Sequence, residues 1–234
     1  MFEPYALALE RSGLSPSPLV AAPPLPVFRA FEGATSGKAQ QREWLRQHGF
    51  EKNAITEYPT PDVVSRFPVI LKPTKGHGGR GVQIIDNATA LRHAVGAFFR
   101  TNQAFVLQEA VAGQHESGVY FAAFRGELLQ ADCLRYTFSE DLYVRTGTNG
   151  PGLIAVRDES CDAAPFKTRD LRRLVAASRY HGFGCLGIKA RGAGRPAAFI
   201  ELNTRICASH IFRLTASFMG ALRRFSARAR SRNR

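Results

Sequence analysis

The sequence predicts an α+β fold, built as one large domain or two smaller ones, on three observations. The chain has 234 residues, 44% of them hydrophobic, enough to bury a real core. From Phe67 onward, short apolar runs that read as strands alternate with segments of helical period. Two pairs of those runs follow each other without an intervening helix: FPVILK and GVQIID across a glycine-rich loop, and the stretch SGVYFAAFRGELLQADCLRY turning at Arg125-Gly126.

The opening FEPYALALERSG has apolar residues at helical spacing and a terminal glycine, and predicts a short helix. The run LSPSPLVAAPPLPVF is too rich in proline for regular structure and reads as a linker, so residues 1–35 are taken as a remnant plus linker. TSGKAQQREWLRQHG predicts a helix capped by Thr35 or Ser36, with Trp44 and Leu45 on one face and Gly49 as the stop. ITEYPTPDVVSR gives a short extended piece and a turn. After the strand–loop–strand come a helix (NATALRHAVGAFFRTN), a strand (AFVLQEAV) and the paired strands. Residues 139–165 read as loop, TRDLRRLVAASRYHG as a helix, and CLGIKARG and PAAFIELN as two strands joined by GAG.

The formal charge of +13 favours anionic partners: nucleotides, acidic metabolites or nucleic acid. The last fourteen residues, ALRRFSARARSRNR, hold six arginines and no acid, which leaves +7 on residues 1–220. Residues 216–234 are therefore expected to form a solvated basic tail, with nucleic-acid binding as the alternative use. No stretch approaches the roughly 18 apolar residues of a membrane helix, and the N-terminus lacks the order of a signal peptide, so the expected compartment is the cytoplasm. Cys133, Cys161, Cys185 and Cys207 are widely spaced with no CxxC, and reduced, partly buried thiols are expected. His93, His181 and His210 have no partners at metal-ligand spacing and read as structural.

Two stretches point to chemistry. KPTKGHGGRG, residues 72–81, puts four glycines and four basic residues between two strands. Bare backbone that can close on phosphate oxygens, with cations beside it, is what anion binding asks for. The glycines do not run into a helix, and neither GxxxxGK[ST] nor GxGxxG is present, which excludes a Walker loop and a dinucleotide fingerprint. In FIELNTR, residues 199–205, Glu201 and Asn203 stand two apart on a strand and share a face. Two oxygen donors of that kind are a half-site for Mg²⁺, which leaves phosphates and water to complete its octahedron.

In these motifs, their order and their spacing, residues 36–210 resemble the ATP-grasp superfamily, locally biotin carboxylase and carbamoyl phosphate synthetase. KPTKGHGGRGV is similar to that family's phosphate-capping flap, and FIELNTRI to its metal-binding strand. The resemblance implies two α/β subdomains clasping a nucleotide, here residues 36–112 with the flap and 113–215 with the metal strand. It implies that Lys38 and Lys72 contact the α- and β-phosphates, and that the backbone of 76–81, with Gly76, Gly78, Gly79 and Gly81, closes over the β- and γ-phosphates. The hinge from Gln108 through Glu109 to Val111 would hold adenine through backbone hydrogen bonds, with Glu116, or His115 if the alignment slips by one, at the ribose. Glu201 and Asn203 would hold Mg²⁺, with Mn²⁺ as an alternative, and Arg205 would sit beside the transferred phosphate. The implied reaction joins a small carboxylate to an amine or a thiol through an acyl phosphate, with ATP as donor.

The chain departs from that pattern in four places. Where the family carries a further acidic metal ligand, twelve positions before Glu201, stands Lys189: either one metal is lost or Lys189 acts as a fixed cation against the phosphates. Gln108 replaces the acidic residue that often begins the hinge, Lys75 and His77 add bulk to the flap, and the N-terminal subdomain is represented by some 35 residues. These departures leave a degenerate, non-catalytic ATP-binding module as the alternative to an active ligase. Arg135 and Arg145, in or near the long loop, are the expected clamps for a substrate carboxylate.

Overall fold

The structure, a computed structural model, describes residues 41–74, 79–144, 152–192, 194–203, 206–207 and 215–230. The expected N-terminal helix and linker, Lys38, Lys75, Gly76, His77, Gly78, Arg145, Arg205 and His210 lie outside them. Helix α1 (Gln41–Gln47) is stopped at Gly49, whose N–H bonds Arg46 O at 3.1 Å while Phe50 N–H bonds Leu45 O at 2.7 Å. Then follow β1 (Glu57–Tyr58), β2 (Val69–Pro73), β3 (Gln83–Ile85), α2 (Ala88–Arg100) and β4 (Phe105–Glu109). Next come β5 (His115–Phe124), β6 (Glu127–Phe138), β7 (Leu153–Glu159), α3 (Thr168–Ala177), β8 (Gly182–Lys189), β9 (Ala198–Asn203) and α4 (Thr215–Arg230).

The strands form two antiparallel sheets, a small one in the order β1-β4-β2-β3 and a larger one in the order β7-β6-β5-β8-β9. With its helices in separate layers, the chain is α+β, as the sequence predicts. In the small sheet, alternate residues Val69, Leu71 and Leu107 pack with Ile85 against Leu91, Val95 and Phe98 of α2. Asn87 caps that helix, its side-chain oxygen accepting from Ala90 N at 2.9 Å.

In the larger sheet, Val119, Phe121, Leu186 and Ile188 face Leu171, Leu174 and Val175 of α3, together with Trp44, Leu45 and Phe50 from α1 and its exit. The β5–β6 turn places Arg125 and Gly126 at φ 51° and 88°, a left-handed pair that costs little at the glycine and more at the arginine. On the opposite face lie Tyr120, Leu134, Tyr136, Phe138 and Cys185. The far end of that face is covered by α4 through Phe218 and Ala221 on Ala122 and Phe183.

Three expectations are corrected. The basic tail is not loose: through residue 230 it is a helix that buries Ala221 and Phe225, because Phe218, Ala221, Leu222 and Phe225 recur at helical spacing between the arginines. Inside the predicted loop, Leu153–Glu159 forms an edge strand on β6. The cysteines are paired, Cys133 with Cys161 and Cys185 with Cys207. Strand register decides this: β6 sets Cys133 opposite Glu159, two residues before Cys161, and β8 sets Cys185 opposite Asn203, four before Cys207. No helix among the described residues is long and apolar enough to cross a membrane.

Candidate functional site

Side chains opposite each other across a ladder share a face. In the small sheet, Glu57 stands opposite Gln108, Gln108 opposite Ile70, and Lys72 opposite Val106, so Glu57, Gln108 and Lys72 occupy the face that α2 leaves uncovered. Gln108 and Lys72 are buried, at 6% and 9% exposure. Gln108 Nε2 donates to Glu57 Oε1 at 2.6 Å. Burial pushes the Glu57 carboxyl above its ordinary value, against the opposing pull of the Gln108 bond and the Lys72 charge. Glu57 was missed from the sequence. Alternation in ITEYP could have set it on one face, but nothing local names its partner 51 residues on.

Next to Lys72 the chain enters the flap. Gly79 and Gly81 both take φ near +73°, and a Cβ on Gly81 would stand 2.9 Å from Pro73 Cγ, so side chain and backbone alike exclude other residues there. At the other end, Glu109 points to the opposite face, its backbone N–H bonding Thr56 O at 2.9 Å, and its charge acts on Arg191. Val111 lies, half-buried, in the linker to β5.

Across that linker, Glu116 is opposite Lys189, Gly118 opposite Gly187, and Gly187 opposite Glu201, all on the face away from α3. His115, opposite Thr137, points the other way. Glu116 and Lys189 are buried, at 6% and 5% exposure. Lys189 Nζ donates to Asp141 O at 3.3 Å and lies 4.1 Å from the centre of the Tyr143 ring. Burial pushes its pKa down to about 8, while the Glu116 and Asp141 charges pull it back up. Asn203 Nδ2 donates to Glu201 Oε1 at 3.0 Å, with Glu201 exposed.

Gly187 is the floor between them. A Cβ there would come within 3.5 Å of Glu116 Oε1 and 3.6 Å of Glu201 Cγ, so the bare glycine keeps the space between the two carboxylates open. Among the described residues no three His, Cys, Asp or Glu side chains are spaced to hold a metal. The oxygens of Glu201 and Asn203 nonetheless fit a hard ion such as Mg²⁺, provided phosphates supply its remaining ligands.

Arg135 is corrected. It stands opposite Ser117 on the α3 side of the sheet, ion-paired with Glu159, whose other oxygen accepts from Ser117 Oγ at 2.9 Å. It cannot reach a substrate on the Lys189 face. Odd and even positions in a strand point apart, and sequence order alone did not fix which parity faced the site.

The chain aligns over 88% of its length with N5-carboxyaminoimidazole synthase from Aspergillus clavatus, at a TM-score of 0.59 and 17% identity, covering 51% of that chain. It aligns over 89% with the biotin carboxylase domain of Hydrogenobacter thermophilus 2-oxoglutarate carboxylase, solved with MgADP and bicarbonate, at 0.58 and 18%, covering 46% of it. The chain has the ATP-grasp fold. D-alanine–D-alanine ligase from Bacillus anthracis shares this ATP-grasp architecture at a TM-score of 0.56 and 16% identity, over 84% of this chain and 69% of that one. In sequence, 90 residues are 29% identical to D-alanine–D-alanine ligase of Lacticaseibacillus casei, covering 36% of this chain and 25% of that enzyme. The chain thus spans a quarter of the curated relative it matches and about half of the first two structures above. No family model matches the sequence.

Proposed function

We propose that this ATP-grasp chain binds MgATP between the Lys72 face of the small sheet and the Lys189 face of the large one, and uses it to activate a small carboxylate. The observation that supports this most is the glycine floor at Gly187, flanked by Glu116, Glu201 and Lys189 and reached directly from Gln108 by the linker. Lys72, with Lys38 and the flap backbone at Gly76, Gly78, Gly79 and Gly81, would neutralise and cover the phosphates. Gln108, with the backbone of the hinge through Glu109 to Val111, would hold adenine. Glu116 is favoured over His115 at the ribose because it shares the face of Lys189. Glu201 and Asn203 would hold Mg²⁺ or Mn²⁺, which when bound offsets phosphate charge.

In the reaction, a carboxylate oxygen of the acceptor attacks the γ-phosphorus and ADP leaves; an amine or thiol then attacks the acyl carbon and phosphate leaves. Lys189 and Arg205 would stabilise charge on the transferring oxygens. Without a second acid in the metal set, the buried Lys189 ammonium would add a fixed positive charge beside Arg205 there, and the same observation favours a second reading: nucleotide binding without turnover. In the arginine-rich α4, the alternative surface for nucleic acid, Arg228 is already ion-paired with Glu127. The compartment proposed from the sequence is the cytoplasm; the two disulfides pull against it, since such bonds persist in oxidising surroundings.

Screening amino acids and small dicarboxylates for acceptor-dependent ADP release tests the ligase reading. Millimolar ATP with Mg²⁺ should raise Tm, and Lys72→Ala should remove most of that shift. A Tm unmoved by ATP in folded wild-type protein refutes the nucleotide reading. A shift without release for any acceptor supports binding without turnover.

A further inference from the structure

We infer that Glu57 is a positioning residue that selects adenine over guanine, by fixing the side-chain amide of Gln108 with its carbonyl oxygen toward the purine 6-position. The inference rests on the proposed reading of the end of β4 as the adenine site.

A glutamine amide has a donor end and an acceptor end, and turning it over exchanges the two. Here it is held. Glu57 and Gln108 are directly opposed across β1 and β4, and Gln108 Nε2 donates to Glu57 Oε1 at 2.6 Å. An ionised carboxylate only accepts, so the NH₂ end must face it. Turning the amide would set oxygen against oxygen at that distance on a side chain with 6% exposure, where water cannot repair the loss. Burial pushes the Glu57 carboxyl above its ordinary value, and the Gln108 bond and the Lys72 charge on the same face oppose that rise and favour the acceptor form. The end of Gln108 left over is therefore Oε1, an acceptor. Adenine offers an amino donor at position 6, which Oε1 can take, whereas a 6-oxo purine offers an acceptor and meets it with repulsion. Gln108 alone would not discriminate, because a free amide can serve either base; the selectivity lies in its neighbour on β1.

The test is calorimetric binding, with Mg²⁺, of ATP, purine riboside triphosphate (6-H) and inosine triphosphate (6-oxo) to the full wild-type chain and to Glu57→Gln. In wild type the order expected is ATP tightest, then the 6-H analogue, then the 6-oxo analogue, with each step about tenfold, the worth of one hydrogen bond gained or opposed. Glu57→Gln frees the amide to turn and should shrink the ATP to 6-oxo ratio at least tenfold. Should the variant fail to fold, the wild-type series still decides: equal affinity for the 6-H and 6-oxo analogues overturns the inference, as does a ratio unchanged in a folded variant. Binding of none of the three nucleotides overturns the nucleotide reading itself, and this inference with it.

Discussion

The two sheets present polar side chains to the same proposed ligand with very different amounts of core behind them. The small sheet, whose β2 and β4 are five residues each, rests on one helix. The large sheet has strands of ten and twelve residues at its centre, helices on both faces, and two disulfides. The difference teaches a division of labour. A group meant to hold one geometry, such as Glu116 beside Lys189, sits in the large sheet, where many packed neighbours resist displacement. Lys72 sits on the lighter sheet, whose local opening is expected to cost less.

The largest effect that sharpens this contrast is expected from Phe199→Ala. Phe199 is 1% exposed and meets the Phe166 ring edge-on at 4.9 Å. Its removal should cost about 3–5 kcal/mol in urea unfolding. A loss below about 1 kcal/mol would mean that the large core is not the rigid part.

Replacing Cys133 and Cys161 together by serine should cost about 3.5 kcal/mol through restored freedom of the unfolded chain across their 28-residue separation. Hydrogen exchange should quicken in β5, β6 and β7 and stay unchanged in β2 and β4. Equal quickening in both sheets would break the comparison, since the two would then unfold as one unit. A thiol count on freshly purified protein checks the pairing itself: no reactive thiol before reduction is the expected result.

Lys189→Met probes what the large sheet gives up for its cation. The pKa of Lys189 is lowered to about 8 from the usual 10.5, so below pH 8 the folded chain bears the full cost of a buried ammonium. Between those values the unfolded chain holds the proton more tightly, and wild-type stability should rise with pH. The variant should therefore be more stable than wild type at pH 7 by up to about 3 kcal/mol, and no more stable above pH 10.5. Urea titrations at pH 7 and pH 11 measure both; a variant destabilised at pH 7 would show that the contacts with Tyr143 and Asp141 outweigh desolvation.

The smallest effect belongs to the small sheet. Asn87→Ala removes the cap on α2 and should cost about 1 kcal/mol, with faster exchange confined to α2, β2 and β4. Spread of that change into β5 and β8 would count against separate stabilities.

By itself the sequence determined what depends on neighbours a few residues apart. The strand on either side of the flap, α2 with its asparagine cap, the Arg125-Gly126 turn and the shared face of Glu201 and Asn203 all follow from periods of two or 3.6 and from turn chemistry, and all are found in the structure. The motif order further carried the ATP-grasp fold. Tertiary structure alone decided which strands lie side by side and in what register. That placed Lys189 against Glu116, set Glu57 on Gln108, turned Arg135 away from the site, joined the four cysteines, drew Leu153–Glu159 onto β6 and folded the arginine-rich end back as α4. The physical reason is range: a side chain's local pattern sets its face, but its partner is fixed by pairing between strands tens of residues apart, and a shift of one residue would turn every one of those contacts to the other side.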